Sequence, residues 1–173
     1  MLIPFSALAD STAPADTDEY GNTPLMVACG GNCVQRVQEL LAAGAAVDAR
    51  ADSGQTALLW ACQGGAAECT AILLQAGAQV NVQDCYGCTP LLWACWANST
   101  PCARLLLAAG AAPDTPDEDG RTPLMEAAAH GNADLLQLLL DHGARPDARA
   151  LQEARAAGHA FCEILLNAAG AGD

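Results

Sequence analysis

The sequence predicts an all-α solenoid, a row of short helix-turn-helix units joined by β-turn or hairpin fingers. Three observations predict it. Gly21, Gly54, Gly87 and Gly120 recur every 33 residues, as do Thr23, Thr56, Thr89 and Thr122. Leu25, Leu58, Leu91 and Leu124, then Ala28, Ala61, Ala94 and Ala127, then Gly44, Gly77, Gly110 and Gly143 keep the same step. A fixed period of this kind is the mark of stacked repeats. The apolar share of the chain, 52 %, comes from Ala, Leu and Cys more than from β-branched residues, which favours helix over strand.

Each position of the unit has a local reason. Asp18 to Gly21 and Asp84 to Gly87 suit a tight turn, with Gly supplying the positive φ. The Thr that follows is a helix N-cap, and Pro24, Pro90 and Pro123 occupy the first helical position, where a missing N–H costs nothing. Ala57 stands there once. The Ala series lets neighbouring helices approach closely. The first helix runs for about two turns and ends near Asn32, Gly65, Asn98 and Gly131, residue types that tolerate a left-handed cap. A second helix carries Val37, Leu40 and Leu41 and their counterparts, and stops at the Gly44 series. Extended pieces at 46–49, 79–82, 112–115 and 145–148 lead into the next turn.

The phase divides the chain into full repeats at 18–50, 51–83, 84–116 and 117–149, with capping half-repeats at 1–17 and 150–173. Leu8 stands in the phase of Leu41. Leu151, Ala154, Gly158 and Gly170 follow Leu124, Ala127, Gly131 and Gly143 by 27 residues rather than 33, so the last helix pair lacks its finger. Terminal units of a solenoid must cover its apolar ends. His159, Phe161 and Cys162 are read as packing in that cap.

Charge narrows the partners. Twenty Asp and Glu face seven Arg and no Lys, for a net charge of −13. Such a field repels nucleic acid and anionic membrane surfaces and attracts a protein or peptide with basic residues. Nine Cys include Cys29, Cys62 and Cys95 at one phase, a packing position rather than a disulfide framework. Unpaired buried thiols point to a reducing compartment, the cytoplasm or the nucleus. The apolar start, residues 1–9, is too short for a signal peptide and has no basic residue before Arg36. Residues 85–103 are uncharged but contain Gly87, Pro90 and Pro101 in phase with the repeat, so no membrane element is expected.

At this point the chain resembles the ankyrin repeat family. Arg121-Thr122-Pro123-Leu124-Met125-Glu126-Ala127-Ala128, then Gly131 and Leu138-Leu139-Leu140, follows the family consensus, and the likeness covers residues 18–149. One departure is general. The His usual after Thr-Pro-Leu is replaced by Met26, Leu59, Leu92 and Met125, so apolar packing must stand in for its polar network.

The resemblance implies an ankyrin solenoid and a non-catalytic adaptor or scaffold, a monomer or a subunit of a hetero-complex, with no cofactor or metal. It also implies a concave face built from turn tips and first helices. The candidate partner-binding residues there are Tyr20, Trp60, Gln63, Tyr86, Trp93, Trp96, Glu118, Asp119, Arg121, Glu126 and His130. Trp96 lies one helical turn beyond Trp93. Two readings of the aromatics stand open: anchors of an interface, or packing against the neighbouring repeat. Trp60 and Trp93 also match two walls of the methyl-lysine cage of some ankyrin domains, while Gln55 and Gln63 replace its third Trp and its Glu. A structural role in a large assembly is a further alternative.

Other constellations carry less. Cys85-x-x-Cys88 brackets a turn Gly but has no second pair in phase to complete a zinc site. No Ser/His/Asp set, phosphate-cradling loop or paired-carboxylate site is present, and His130, His142 and His159 are scattered. Asn81 stands where the resemblance implies asparagine hydroxylation. Its side chain, like those of Asp48, Asp114 and Asp147, is read as an acceptor for backbone N–H groups.

Overall fold

Four threonines set the phase of the fold. The structure, a computed structural model, describes residues 4–11 and 13–171. Thr23 Oγ1 accepts the N–H of Met26 at 3.3 Å, Thr56 that of Leu59 at 3.4 Å, Thr89 that of Leu92 at 3.2 Å and Thr122 that of Met125 at 3.3 Å. Eleven helices follow among the described residues, with no strand. After α1 (Phe5–Leu8), the first helices of the repeats are α2 (Pro24–Gly30), α4 (Ala57–Gln63), α6 (Pro90–Trp96) and α8 (Pro123–His130). The second helices are α3 (Val34–Ala42), α5 (Ala67–Gln75), α7 (Thr100–Ala108) and α9 (Ala133–Asp141). The terminal pair is α10 (Ala148–Ala156) and α11 (Ala160–Ala168).

The turns between paired helices use the left-handed residues that the sequence offers. Asn32, Gly65, Asn98 and Gly131 have φ of 53°, 63°, 51° and 68°. Two layers result, α2-α4-α6-α8-α10 on one side and α3-α5-α7-α9-α11 on the other, each helix packed on the next in its layer. Ala61, Ala94 and Ala127 are fully buried where the first helices meet, as are Cys62 and Cys95 beside them. Met26, Leu59, Leu92 and Met125 are buried as well, so apolar packing does fill the site of the missing His. Met26 retains a trace of polarity there, since its Sδ lies 3.4 Å from the Thr23 N–H.

The fingers are joined by backbone bonds from one repeat to the next. Asp52 N–H donates to the Tyr20 carbonyl at 2.9 Å, Cys85 to Ser53 at 2.9 Å and Glu118 to Tyr86 at 3.0 Å. Side chains add a second link. Asp48, Asn81 and Asp114 accept the backbone N–H of Gln79, Ala112 and Arg145 at 3.0, 2.9 and 2.9 Å. The acceptor role read from the sequence therefore holds, and it reaches across to the following repeat.

The ends differ in detail from the sequence reading. Residues 145–148 are not all extended: Asp147 accepts the N–H of Ala150 at 2.7 Å and α10 begins at Ala148. An Asp with extended φ and ψ is as good an N-cap as Thr, and it starts the helix inside the stretch assigned to the fourth repeat. Phe161 is not packed in the cap but 63 % exposed, with Ile164 beside it at 61 %, whereas Cys162 is buried. The periodicity locates the helix but not the face it turns outward. At the other end Leu8 is fully buried, and Arg36 Nη2 donates to the Ser11 carbonyl. The rest of the two capping half-repeats, residues 1–3, 12 and 172–173, lies outside the described residues, and with it the first part of the apolar start. Among the described residues no helix is long and apolar enough to cross a membrane.

Two outcomes follow from these contacts. Thr89→Ala leaves the Leu92 N–H without its cap and is expected to cost about 1–2 kcal/mol in urea denaturation, while Thr89→Ser keeps most of it. The second concerns alkali. Burial pushes the Cys29, Cys62, Cys88 and Cys95 thiols above the ordinary value of 9.0. Their folded-state pKa is raised, so the unfolded chain ionises first and stability falls as pH rises through 9.0. By pH 10 each such thiol is expected to cost about 1.4 kcal/mol, and Cys62→Ala should remove one share of the loss between pH 7 and pH 10.

Candidate interaction face

The fingers and first helices form the face on which the candidate residues lie. Three of the four fingers are opened by a carboxylate, and the second opens with Ala51. Asp84 Oδ1 accepts the N–H groups of Tyr86 and Cys88, both at 3.0 Å, and Asp117 Oδ1 accepts those of Asp119 and Arg121 at 3.0 and 2.8 Å. These bonds hold Tyr86, Glu118 and Asp119 at the tips, where Tyr86 is 63 % exposed. Tyr20 occupies the same place on the first finger and is 59 % exposed.

The three Trp divide by role. Trp60, half-buried against the core, lies across Gly30 of the preceding repeat, and a Cβ at Gly30 would stand 2.8 Å from its Cε3. Gly64 is in the same crowded place, where a Cβ would come within 2.9 Å of the Gly30 carbonyl oxygen. Trp60 and Gln63 border a shallow groove of about 380 Å³ with Val27, Gly30, Gly31 and Gly64. Trp93 is also packed on the core, and its Nε1 donates to Asp84 Oδ2 at 2.9 Å. Its ring meets Trp96 edge to face, with centroids 4.9 Å apart at 90°. That geometry suits the aromatic quadrupole and orients Trp96.

Trp96 lines a second groove, of about 410 Å³, with Tyr86, Cys88, Asp117, Glu118 and Asp119. The structure thus brings Tyr86, Trp96, Glu118 and Asp119 together and seats Trp93 behind them. Trp60 borders the other groove, and Trp93 lines neither.

The remaining candidates are tied into the framework. Glu126 is only 4 % exposed and its carboxylate pairs with Arg121 Nε, so it is not a free charge on the face. Arg121 also reaches Glu153 of α10 at 3.3 Å. The bond to Glu126 pushes the guanidinium pKa still higher. His130 is exposed at the end of α8, with Nδ1 2.9 Å from the Glu126 carbonyl.

Asp117 lines the groove but was not among the sequence candidates, and Cys88, which also lines it, was singled out only with Cys85. The signal was present, since Asp18, Asp84 and Asp117 share a phase, but a turn-forming Asp explains itself and draws no notice. Cys88 is buried, and burial, then the Asp84 and Asp117 carboxylates, pushes its thiol up to about 12. It is a neutral thiol at physiological pH, whereas Cys85 is exposed on the tip. Among the described residues no three His, Cys, Asp or Glu side chains form a group that would hold a metal ion.

The stacked helix pairs, capped turns and linked fingers define a helical repeat protein with a lined groove between two fingers. A family model of ankyrin repeats matches residues 32–117, 81–150 and 106–172, and the chain belongs to the ankyrin repeat family. No curated protein matches the chain. Ankyrin repeats are protein–protein interaction modules and typically non-catalytic.

The packing of Trp60 is directly testable. Ala in place of a helical Gly ordinarily stabilises by up to about 1 kcal/mol. Gly30→Ala should instead destabilise by about 1–3 kcal/mol, because the new methyl meets the Trp60 ring. In a Trp60→Ala background the same change should become neutral or stabilising, read as a double-mutant cycle of urea midpoints.

Proposed function

We propose that this chain is a non-catalytic adaptor or scaffold module that binds a segment of a partner protein on its finger and first-helix face. The groove lined by Tyr86, Trp96, Glu118 and Asp119 carries the reading. Aromatic side chains with exposed faces are the usual anchors of interfaces, and the adjacent carboxylates select a basic partner. Six of the seven Arg are engaged within the chain. Arg36, Arg121, Arg145 and Arg155 pair with Glu39, Glu126 and Glu153, Asp114 and Glu163, while Arg50 and Arg149 bond the carbonyls of Gln83 and Gly120. Compensation for the acidic fingers therefore comes from a partner, in the cytoplasm or the nucleus. Tyr20 and the Trp60–Gln63 groove extend the contact toward the first repeats, as Arg121 and His130 do beside the fourth finger. Trp93 and Glu126 act indirectly, by holding Trp96 and Arg121.

The test is affinity capture with mass spectrometry, wild type against Tyr86→Ala and Trp96→Ala. Truncating either anchor is expected to cost about 2 kcal/mol or more of binding. Partners retained equally by both variants at matched folded protein would remove this face from the function.

A further inference from the structure

The three finger carboxylates are alike in one oxygen and different in the other. Asp18, Asp84 and Asp117 each give Oδ1 to two backbone N–H groups of the turn. Asp18 Oδ2 then accepts Asn22 Nδ2 at 2.9 Å, and Asp84 Oδ2 accepts Trp93 Nε1 at 2.9 Å. The fourth repeat has neither donor. In the phase of Asn22 stands Arg121, whose guanidinium turns to Glu126 and Glu153. In the phase of Trp93 stands Glu126, itself an acceptor. Asp117 Oδ2 consequently takes no hydrogen bond from the described residues, although Asp117 is only 9 % exposed and lines the groove. Oδ2 remains within reach of water, and a donor arriving from outside can take that water's place.

We infer that this groove receives the side chain of a partner's arginine, with the guanidinium donating to Asp117 Oδ2 and lying against Tyr86 and Trp96. The inference rests on the proposed interaction face and names the group that enters it. Guanidinium fits the chemistry on three counts. It offers five donors in one plane, it stacks on aromatic faces, and it sheds water more readily than an ammonium. Glu118 and Asp119 at the rim balance its charge. A trimethylated lysine would suit the aromatic walls through cation–π attraction but carries no N–H, and so would leave Asp117 Oδ2 unfilled. The thiol of Cys88, buried and neutral, adds no charge of its own at the groove's inner side.

Asp117→Asn separates turn from groove. Asn keeps Oδ1 for the two backbone N–H groups and replaces Oδ2 by an amide that donates. The full chain is titrated, by NMR, with acetyl-Gly-Arg-Gly amide and with its lysine and trimethyl-lysine counterparts, following the Trp96 indole N–H. The arginine peptide is expected to move that resonance and to bind roughly tenfold more tightly than the trimethyl-lysine peptide. Asp117→Asn should weaken the arginine peptide by roughly tenfold with an unchanged urea midpoint. Tyr86→Ala, at an exposed position, should weaken it as well. Trimethyl-lysine binding as tightly as arginine, an unmoved Trp96 indole, or full arginine affinity in Asp117→Asn would each overturn the inference. If the captured partner is lost on Trp96→Ala but kept on Asp117→Asn, the interaction face stands and the arginine does not.

Discussion

No repeat of this chain has a core of its own. Each pair of short helices presents an apolar face that is buried only when the next pair stacks on it, and that contact requires small residues at Ala61, Ala94 and Ala127. Everything else keeps the stack in register. The Thr caps begin each first helix at the same height, the left-handed residues fold each pair back at the same angle, and backbone bonds between fingers repeat the step. Stability in such an array is close to a sum over neighbours, so a local defect is felt by the two adjoining repeats before the rest.

Repetition also explains how much the sequence revealed. Thr89, Pro90, Leu91, Ala94 and Gly110 could be assigned their structural tasks because each is echoed at the same step in other repeats. The replacement of His by Met26, Leu59, Leu92 and Met125 was equally plain, and its apolar outcome followed from it. The candidate site was less legible, because its residues are echoed only in part and an echo there does not fix a role. Trp60 and Trp93 share a phase yet do different things. One rests on Gly30, which no other repeat offers at that point in the same way, and the other finds Asp84 where the second repeat has Ala51. Glu126 reads as an exposed acid until α10 brings Glu153 beside Arg121 and shows the arginine bridging the two. Phe161 fails for the opposite reason, since it has no counterpart in phase and none of the described residues covers it.

The charge pattern gains sense from the same contacts. A net charge of −13 over 173 residues is not spread evenly in its consequences. Arg50 and Arg149 hold backbone carbonyls of neighbouring fingers, and Arg145 holds Asp114, so the few cations act as clamps between repeats. Carboxylates at the turns are likewise consumed by backbone N–H groups. Glu118 and Asp119, which no arginine of the described residues pairs, stand where Tyr86 and Trp96 line the groove, so acidic and aromatic side chains share that place.

The bridge from Arg121 to Glu126 and Glu153 joins the fourth finger to the last helix pair. When α10 lets go, Arg121 loses one of its two anchors beside Asp117, so the groove is coupled to the opening of that helix pair. A ligand bound at that groove would in turn slow the fraying of the end, with amide-exchange protection in α10 and α11 rising although nothing touches them.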